Sequence, residues 1–271
     1  MAFAEKFLKR LNRIETPLCV GLDPEWEKLP LFVKDQLSPL AYFCKEIVDA
    51  TAESAVAFKP NIAFFERFGA RGIAQFEDVI QHIKIKHPDI PIVADIKRGD
   101  LANTSKEYAR YYFQTLGVDS ITVSPYMGMD SLEPYLDMGG FVFILCLTSN
   151  PGSSDFQRLP LEFSTPFFEH IATFFEGESS RYPEQLGIVV GGTHPEDLER
   201  IRGLAPSLHI LIPGFGAQGG KLEEILPVSG KLSLINSSRS ILYASTGEDF
   251  ATKAGDAARK IRNDMLRILN S

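Results

Sequence analysis

Eight short apolar runs recur along the chain, and their spacing constrains the fold more than any other feature. Most of them do not alternate apolar with polar residues, as a strand with one face in water would. Runs of this kind are typical of strands buried on both faces of a parallel sheet. They cover residues 17–23, 55–61, 90–97, 120–126, 140–149, 186–192, 209–216 and 232–240.

Segments with the period of amphipathic helices lie between the runs. The clearest are 38–54, 105–117 and 249–270, while 63–86 is less regular and its glycines predict a break. The first residues, "MAFAEKFLKRLNRIE", also form an amphipathic pattern. Eight strands, each followed by a helix, predict an α/β fold of the (β/α)8 TIM barrel type.

We expect residues 1–271 to form a single barrel domain, since no linker or internal repeat is visible. The stretch 150–185, between the fifth and sixth strands, is long for one helical return and predicts an insertion. A doubly wound open sheet is the structural alternative. It usually has fewer strands and a glycine-rich turn after the first, whereas "GLDPEW" follows the first strand here.

Charge and cysteine content limit the partners and the compartment. The net charge of −7 does not favour a nucleic acid or an anionic membrane surface. No apolar stretch approaches the ~18 residues of a membrane-spanning helix. Three cysteines, Cys19, Cys44 and Cys146, lie in apolar segments and predict buried free thiols in the cytoplasm. The five histidines form no local metal-binding pattern, so we expect no metal site.

Polar residues or glycines end nearly every strand, as expected where active-site groups line one opening of a barrel. Alternation along the third strand places Asp95 and Lys97 on one side, and Lys59 ends the neighbouring strand. A Lys-Asp-Lys row could keep a lysine protonated as a general acid, or it could be a structural ion-pair cluster. The strand-end residues are Asp23, Lys59, Asn61, Asp95, Lys97, Ser124, Thr148, Ser149, Gly191, Gly192, Gly214, Gly216, Ser237 and Arg239.

Asp100 could be a helix N-cap, but "TSKE" at Thr104–Glu107 is a better capping box. A helix that starts at Thr104 would leave Asp100 free in the loop. We expect Arg98 to face solvent or a structural partner. After strand seven, "IPGFGAQGG" (212–220) could be a tight turn, but with Arg239 after strand eight it favours a phosphate site.

These residues resemble the orotidine 5′-phosphate decarboxylase family, in its longer bacterial branch. The decisive match is D-x-K-x-x-D at Asp95, Lys97 and Asp100, within "DIKRGDLANT". Three further segments look like that branch. They are "FKPNIAFFE" (58–66), "SPYMG" (124–128) and "TSNPG" (148–152).

The resemblance implies a catalytic set of Lys59, Asp95, Lys97 and Asp100, with Lys97 as the proton donor and Asp100 contributed by the partner protomer of a homodimer. It also implies a nucleotide substrate, no cofactor and no metal. In the substrate site, Asp23 would hold a ribose hydroxyl and Thr104 would approach the ribose from the partner, which competes with a capping role. Ser149, or else Thr148, would read the pyrimidine edge, and Gln218 and Arg239 would grip the phosphate. Ser124 and Pro213 complete the predicted substrate-binding residues.

The expected reaction is decarboxylation of orotidine 5′-phosphate to UMP in pyrimidine biosynthesis. One rival is a metal-dependent phosphosugar decarboxylase or aldolase, because such sister enzymes have the same Asp-x-Lys-x-x-Asp core. The other is a barrel that binds a phosphorylated ligand without catalysis.

Overall fold

The computed structural model describes residues 2–161, 164–214 and 221–271. Within these ranges eight parallel strands form one sheet in the order β2-β1-β8-β7-β6-β5-β4-β3. Parallel bridges Phe58–Ile92 and Asn61–Asp95 join β2 to β3 and close the sheet into a barrel, which excludes the open-sheet alternative. The strands are β1 Leu18–Leu22, β2 Ala57–Pro60, β3 Val93–Arg98, β4 Ser120–Val123, β5 Phe141–Leu147, β6 Leu186–Val190, β7 His209–Ile212 and β8 Ser233–Ser237.

Helices surround the barrel, and none in the described ranges is long and apolar enough to cross a bilayer. The α-helices are α1 Phe3–Ile14, α2 Leu31–Lys34, α3 Pro39–Thr51, α4 Ala63–Glu66, α5 Gly69–Lys86, α6 Ala102–Ala109, α7 Glu133–Leu136, α8 Phe167–Glu178, α9 Pro195–Leu204, α10 Leu222–Ser229, α11 Arg239–Leu242 and α12 Phe250–Leu269. Single 3-10 turns cover Trp26–Lys28, Met129–Ser131 and Pro151–Asp155, and a π-helical segment covers Arg110–Leu116.

The predicted break within 63–86 is confirmed, because α4 ends before α5 begins at Gly69, where φ is +59°. A side chain at Gly72 is excluded, since its Cβ would lie 1.8 Å from the Phe65 carbonyl oxygen. The helix predicted over 105–117 also ends at a left-handed glycine, Gly117. Its start is different from the prediction and is described with the site.

Helix α1 closes the amino-terminal end of the barrel. Its apolar face packs on residues at or near the starts of β5 and β7, with ring centroids 4.3 Å apart for Phe3 and Phe141 and 5.3 Å apart for Phe7 and His209. Burying these aromatic rings supplies much of the hydrophobic stabilisation at this end. The opposite opening, where the carboxyl ends of the strands meet, is left for a site; we call it the mouth.

Residues 150–185 contain the turn Pro151–Asp155 and helix α8, with residues 162 and 163 outside the described ranges. Gln157 connects this segment to the end of β5, because its side-chain oxygen accepts a hydrogen bond from the Thr148 amide at 2.7 Å. The cysteines Cys19, Cys44 and Cys146 are buried free thiols, as predicted.

Candidate functional site

Three charged side chains meet at the mouth, and we call them the charged array. Lys59 Nζ lies 2.6 Å from Asp95 Oδ2, and Lys97 Nζ lies 2.5 Å from Asp95 Oδ1. Asp95 and Lys59 are only 6% and 4% exposed. The Lys97 side chain is 50% exposed, so the array has a buried end and an open end. The Lys-Asp-Lys row expected from the sequence is therefore present.

Each charge in the array is held by its neighbours rather than by water. Burial acts to raise the pKa of Asp95, but the charges of Lys59 and Lys97 and their hydrogen bonds outweigh it and hold the pKa well below its usual range. Burial acts to lower the pKa of Lys59, but the charges of Asp95 and Asp23 outweigh it and raise the pKa. Asp95 therefore stays ionised and Lys59 stays protonated at neutral pH.

A bulge in β3 aims Lys97 at the mouth. The register between β3 and β4 shifts between Ala94 and Arg98, and Lys97 has a φ of +43°. A left-handed backbone costs a non-glycine residue about 1–2 kcal/mol, so neighbouring contacts must stabilise it. Lys97 and Asp95 share a side as predicted, but the bulge, and not simple alternation, determines how they meet.

Thr122 on β4 provides those contacts, and the sequence analysis missed it. Its hydroxyl accepts hydrogen bonds from the amides of Ile96 and Lys97, each at 3.0 Å, and donates one to Asp95 Oδ1 at 2.9 Å. A hydroxyl has one donor and two acceptor positions, so all three are used. Thr122 is 1% exposed. A threonine inside an apolar strand reads as an ordinary β-former, and only its need for buried partners could have drawn attention to it.

Asp23 follows β1 and borders the array. Its Oδ1 lies 4.0 Å from Lys59 Nζ and, among the described residues, has no hydrogen-bond partner. Tyr243 holds the loop in place: its hydroxyl donates to the Asp23 carbonyl at 2.8 Å and accepts from the Glu25 amide at 2.6 Å. The carboxylate is thus held at the mouth, where the Asp23 side chain is 18% exposed.

The predicted capping box at Thr104 is wrong. Helix α6 begins at Ala102 with Leu101 as its N-cap residue and no side-chain cap. The Ser105 hydroxyl bonds back to the Asp100 carbonyl at 2.9 Å, and this closes the loop early enough for the helix to start two residues before Thr104. Thr104 therefore lies within the first turn and does not cap it.

Asp100 is not an N-cap either. Its Oδ1 accepts a hydrogen bond from the adjacent Leu101 amide at 2.8 Å. Within the described ranges its carboxylate forms no ion pair. Arg98 has the structural partners expected of it, because it pairs with Glu66 and lies over the Tyr108 ring at 5.4 Å.

The ends of β4 and β5 place two predicted serines at the rim of the mouth. Ser124 follows β4, and Gly99 packs so closely on it that a Cβ there would lie 3.1 Å from the Ser124 Cβ. Ser149 follows β5 and packs in the same way against Gly191, whose Cβ would lie 2.8 Å from the Ser149 amide nitrogen. The alternative, Thr148, has its hydroxyl engaged at 2.7 Å with Asn150 and 2.9 Å with Gln157.

The expected phosphate end is described only in part. Pro213 follows β7, and its carbonyl accepts a hydrogen bond from the Gly192 amide at 2.9 Å. Arg239 is exposed at the start of α11, after β8, and forms no ion pair with any described residue. Gly216 and Gln218 lie outside the described residues.

The family model described as "Orotidine 5'-phosphate decarboxylase / HUMPS family" matches residues 16–254. A protein of Leptospira interrogans named orotidine 5′-phosphate decarboxylase is 54% identical over 267 residues, which is 98% of this chain and 96% of that protein. The chain belongs to the orotidine 5′-phosphate decarboxylase family. Membership in this decarboxylase family, which serves pyrimidine biosynthesis, makes the chain a carbon–carbon lyase.

Solved structures agree with the family assignment. Leishmania donovani OMP decarboxylase superimposes with a TM-score of 0.86 at 36% identity, and the match covers 100% of this chain and 100% of that chain. Leishmania donovani UMP synthase gives a TM-score of 0.86 at 38% identity over 99% of this chain, which spans 56% of that longer chain. The TIM barrel expected from the sequence is the fold of the decarboxylase family.

Proposed function

We propose that this chain converts orotidine 5′-phosphate to UMP and CO2 without a cofactor, with Lys97 as the proton donor. The observation that carries the proposal is the charged array, in which one buried carboxylate is fixed between two ammonium groups at the mouth of the barrel. The Lys97 side chain is half exposed at the open end of the array, so its ammonium group can reach a substrate in the mouth, as a general acid must.

The substrate carboxylate binds next to Lys97, close to the carboxylate of Asp95. The carbon–carbon bond to the carboxylate breaks, CO2 leaves, and the electron pair stays on the pyrimidine carbon. Lys97 stabilises this charge electrostatically and then transfers a proton from Nζ to the carbon. Departure of CO2 also relieves repulsion between the substrate carboxylate and Asp95.

Lys59 and Asp23 complete the inner part of the site. Lys59 keeps Asp95 ionised in its buried position, because Asp95 without it would face a large desolvation penalty. The Asp23 side chain is 18% exposed, and its carboxylate is suited to accept a hydrogen bond from a ribose hydroxyl. A divalent cation fits poorly at Asp95, because the cation would have to displace the two ammonium groups and the threonine hydroxyl that already contact this carboxylate.

The outer part of the site binds the two ends of the nucleotide. Ser149 reads the pyrimidine edge, with Ser124 and Pro213 contributing to the rim. Arg239, together with Gln218, grips the phosphate, and an arginine without an ion-pair partner among the described residues is suited to that role. Binding energy from this remote phosphate supports the transition state at the other end of the substrate.

A homodimer with shared sites is the second part of the proposal. Asp100 belongs to the D-x-K-x-x-D motif, yet it makes no ion pair with the described residues of its own chain. It lies beyond the strand, on a loop over the rim, where it can face a second copy. Asp100 and Thr104 of each chain then serve the partner's mouth. We further propose that residues 1–271 act as one barrel domain in the cytoplasm, where the three buried thiols stay reduced.

Release of CO2 from orotidine 5′-phosphate by the purified protein tests the proposal, with and without a strong chelator. We expect turnover that a chelator leaves unchanged. Activity that disappears in the chelator and returns with a divalent metal would favour the metal-dependent sister enzymes. Binding of UMP with no release of CO2 would favour the non-catalytic barrel.

A further inference from the structure

A second group of titratable side chains lies at the opposite end of the barrel. Helices α3 and α5 lead into β2 and β3, so their carboxyl ends lie at the amino-terminal end, away from the mouth. Asp49 is in the last turns of α3, His82 is in α5, and His87 follows α5 directly. The Nε2 atoms of both histidines lie 2.8 Å from the same Oδ1 of Asp49.

The three side chains differ in exposure in a way that suits a binding site at the surface. His82 and His87 are 16% and 22% exposed, so packing orients their rings, while Asp49 is 49% exposed and free to adjust. Partial burial acts to raise the pKa of Asp49, but hydrogen bonds from His87 and His82 outweigh it and lower the pKa. The carboxylate is therefore ionised at neutral pH.

Packing of α3 against α5 does not by itself require two histidines on one carboxylate oxygen. One turn earlier, Lys45 and Asp78 join the same two helices as an ordinary ion pair at 2.5 Å. At the next turn Asp49 and His82 would be enough, yet His87 brings a second imidazole to the same oxygen. Without a metal, both Nε2 atoms carry protons and donate hydrogen bonds to the same carboxylate oxygen. With a metal, the same atoms become three ligands.

The distances suit a small ion. The three ligand atoms lie within 4.8 Å of one another. Around a tetrahedral Zn²⁺ with bonds of about 2.0–2.1 Å, neighbouring ligand atoms are about 3.3 Å apart. The Asp49 carboxylate thus needs to withdraw by about half an ångström. The fourth position would face solvent, where water can fill it.

We propose that Asp49, His82 and His87 form a binding site for a divalent transition-metal ion of the Zn²⁺ class. Two imidazoles and one carboxylate select such ions over Mg²⁺ and Ca²⁺, which prefer all-oxygen sites. The bound ion links α3 to α5 and to the loop before β3. No local sequence pattern indicates this site, because Asp49 lies more than thirty residues from both histidines. The inference is independent of the decarboxylase proposal.

A second cluster of possible metal ligands is less suited to a metal ion. His194, Glu196 and Asp197 also lie close together. Arg158 already neutralises Asp197 in an ion pair, and His194 and Glu196 are largely exposed. A cation there would have to displace a guanidinium group.

Calorimetric titration of the metal-stripped full chain with Zn²⁺ tests the proposal. We expect one Zn²⁺ per chain with a micromolar or tighter Kd, no competition from Mg²⁺, and a higher Tm when the site is filled. His82→Gln and His87→Gln should each weaken binding by at least about tenfold, a loss comparable with that caused by perturbing a metal site's supporting groups. His170→Gln, which alters an exposed histidine on α8, should bind like the wild type.

Lack of saturable Zn²⁺ binding by the wild type would overturn the proposal. So would unchanged affinity in the His82→Gln/His87→Gln double variant, because the ion would then be elsewhere. X-ray absorption of the zinc-loaded wild type provides a check that needs no variant: two imidazole ligands are expected, and a spectrum without them contradicts the site. Decarboxylation by His87→Gln should match that of the wild type, since the site is remote from the mouth.

Discussion

At the residue scale, the array depends on a side chain outside the motif. Thr122 bonds to two amides of the bulge and to Asp95, so it couples the backbone of Lys97 to the carboxylate that Lys97 contacts. The motif residues could be found from the sequence because charge at a strand end is conspicuous. Thr122 could not, and neither could the left-handed φ of Lys97, because both follow from how β3 and β4 register in three dimensions.

Thr122→Val tests this coupling. Valine has nearly the same shape but leaves the buried amide of Ile96 and the partly buried amide of Lys97 without this acceptor, and the Ile96 amide alone should cost about 1–3 kcal/mol. We expect kcat to fall by at least about tenfold, since misplacement of a reacting group by a fraction of an ångström is costly. Steady-state kinetics and thermal unfolding measure the two effects.

Thr122→Ser is the matched control, because it keeps the hydroxyl and should restore most of kcat. If Thr122→Val lowers Tm but leaves kcat unchanged, Thr122 supports the barrel without positioning Lys97.

At the element scale, the sequence predicted strands better than helix ends. Each of the eight apolar runs overlaps one strand, because burial on both faces leaves a clear pattern. For the helix after β3 the sequence predicts a start at Thr104, two residues late, because "TSKE" satisfies the capping pattern whereas α6 begins at Ala102, where the Ser105 hydroxyl bonds to the Asp100 carbonyl. Caps depend on the loop that precedes them, and that loop is shaped by the bulge.

We expect the free energy of unfolding to depend on pH because of His209 on β7, which packs against helix α1. His209 packs among Phe3, Phe7 and Phe141, and its Nε2 has no hydrogen-bond partner in the described part of the chain. Burial, with a smaller effect of the Arg202 charge, lowers the pKa of His209 from 6.5 to about 4. The unfolded chain therefore binds the proton first, so stability falls as pH drops from 6.5 towards 4, by up to about 3 kcal/mol.

Urea unfolding between pH 7.5 and 4 measures this effect. His209→Leu should lose this part of the pH dependence, while the exposed His170→Gln should retain it. A His209→Leu curve that parallels the wild type would mean that other groups cause the acid sensitivity.

At the scale of the whole molecule, the proposed dimer makes a reciprocal prediction. Lys97→Ala and Asp100→Ala should each be nearly inactive as homodimers. In a mixed dimer one mouth has both residues intact and the other has both defects. With random pairing half of the dimers are mixed, so about one quarter of the sites should recover.

The two variants are unfolded together, refolded, and compared with each variant treated alone. Mass measurement confirms that mixed dimers have formed. Mixed dimers without recovered activity would place Lys97 and Asp100 in the same chain's site.

The proposed mechanism depends on Lys97 as the proton donor, and the decisive measurement is kcat/KM of Lys97→Ala for orotidine 5′-phosphate. Loss of the proton donor should lower kcat/KM by at least about 10²-fold, with Tm close to that of the wild type. Lys260→Ala, which removes an 81% exposed lysine on α12, should leave both values unchanged. If Lys97→Ala folds normally and keeps kcat/KM within about tenfold of the wild type, the proton comes from elsewhere and the proposed mechanism is wrong.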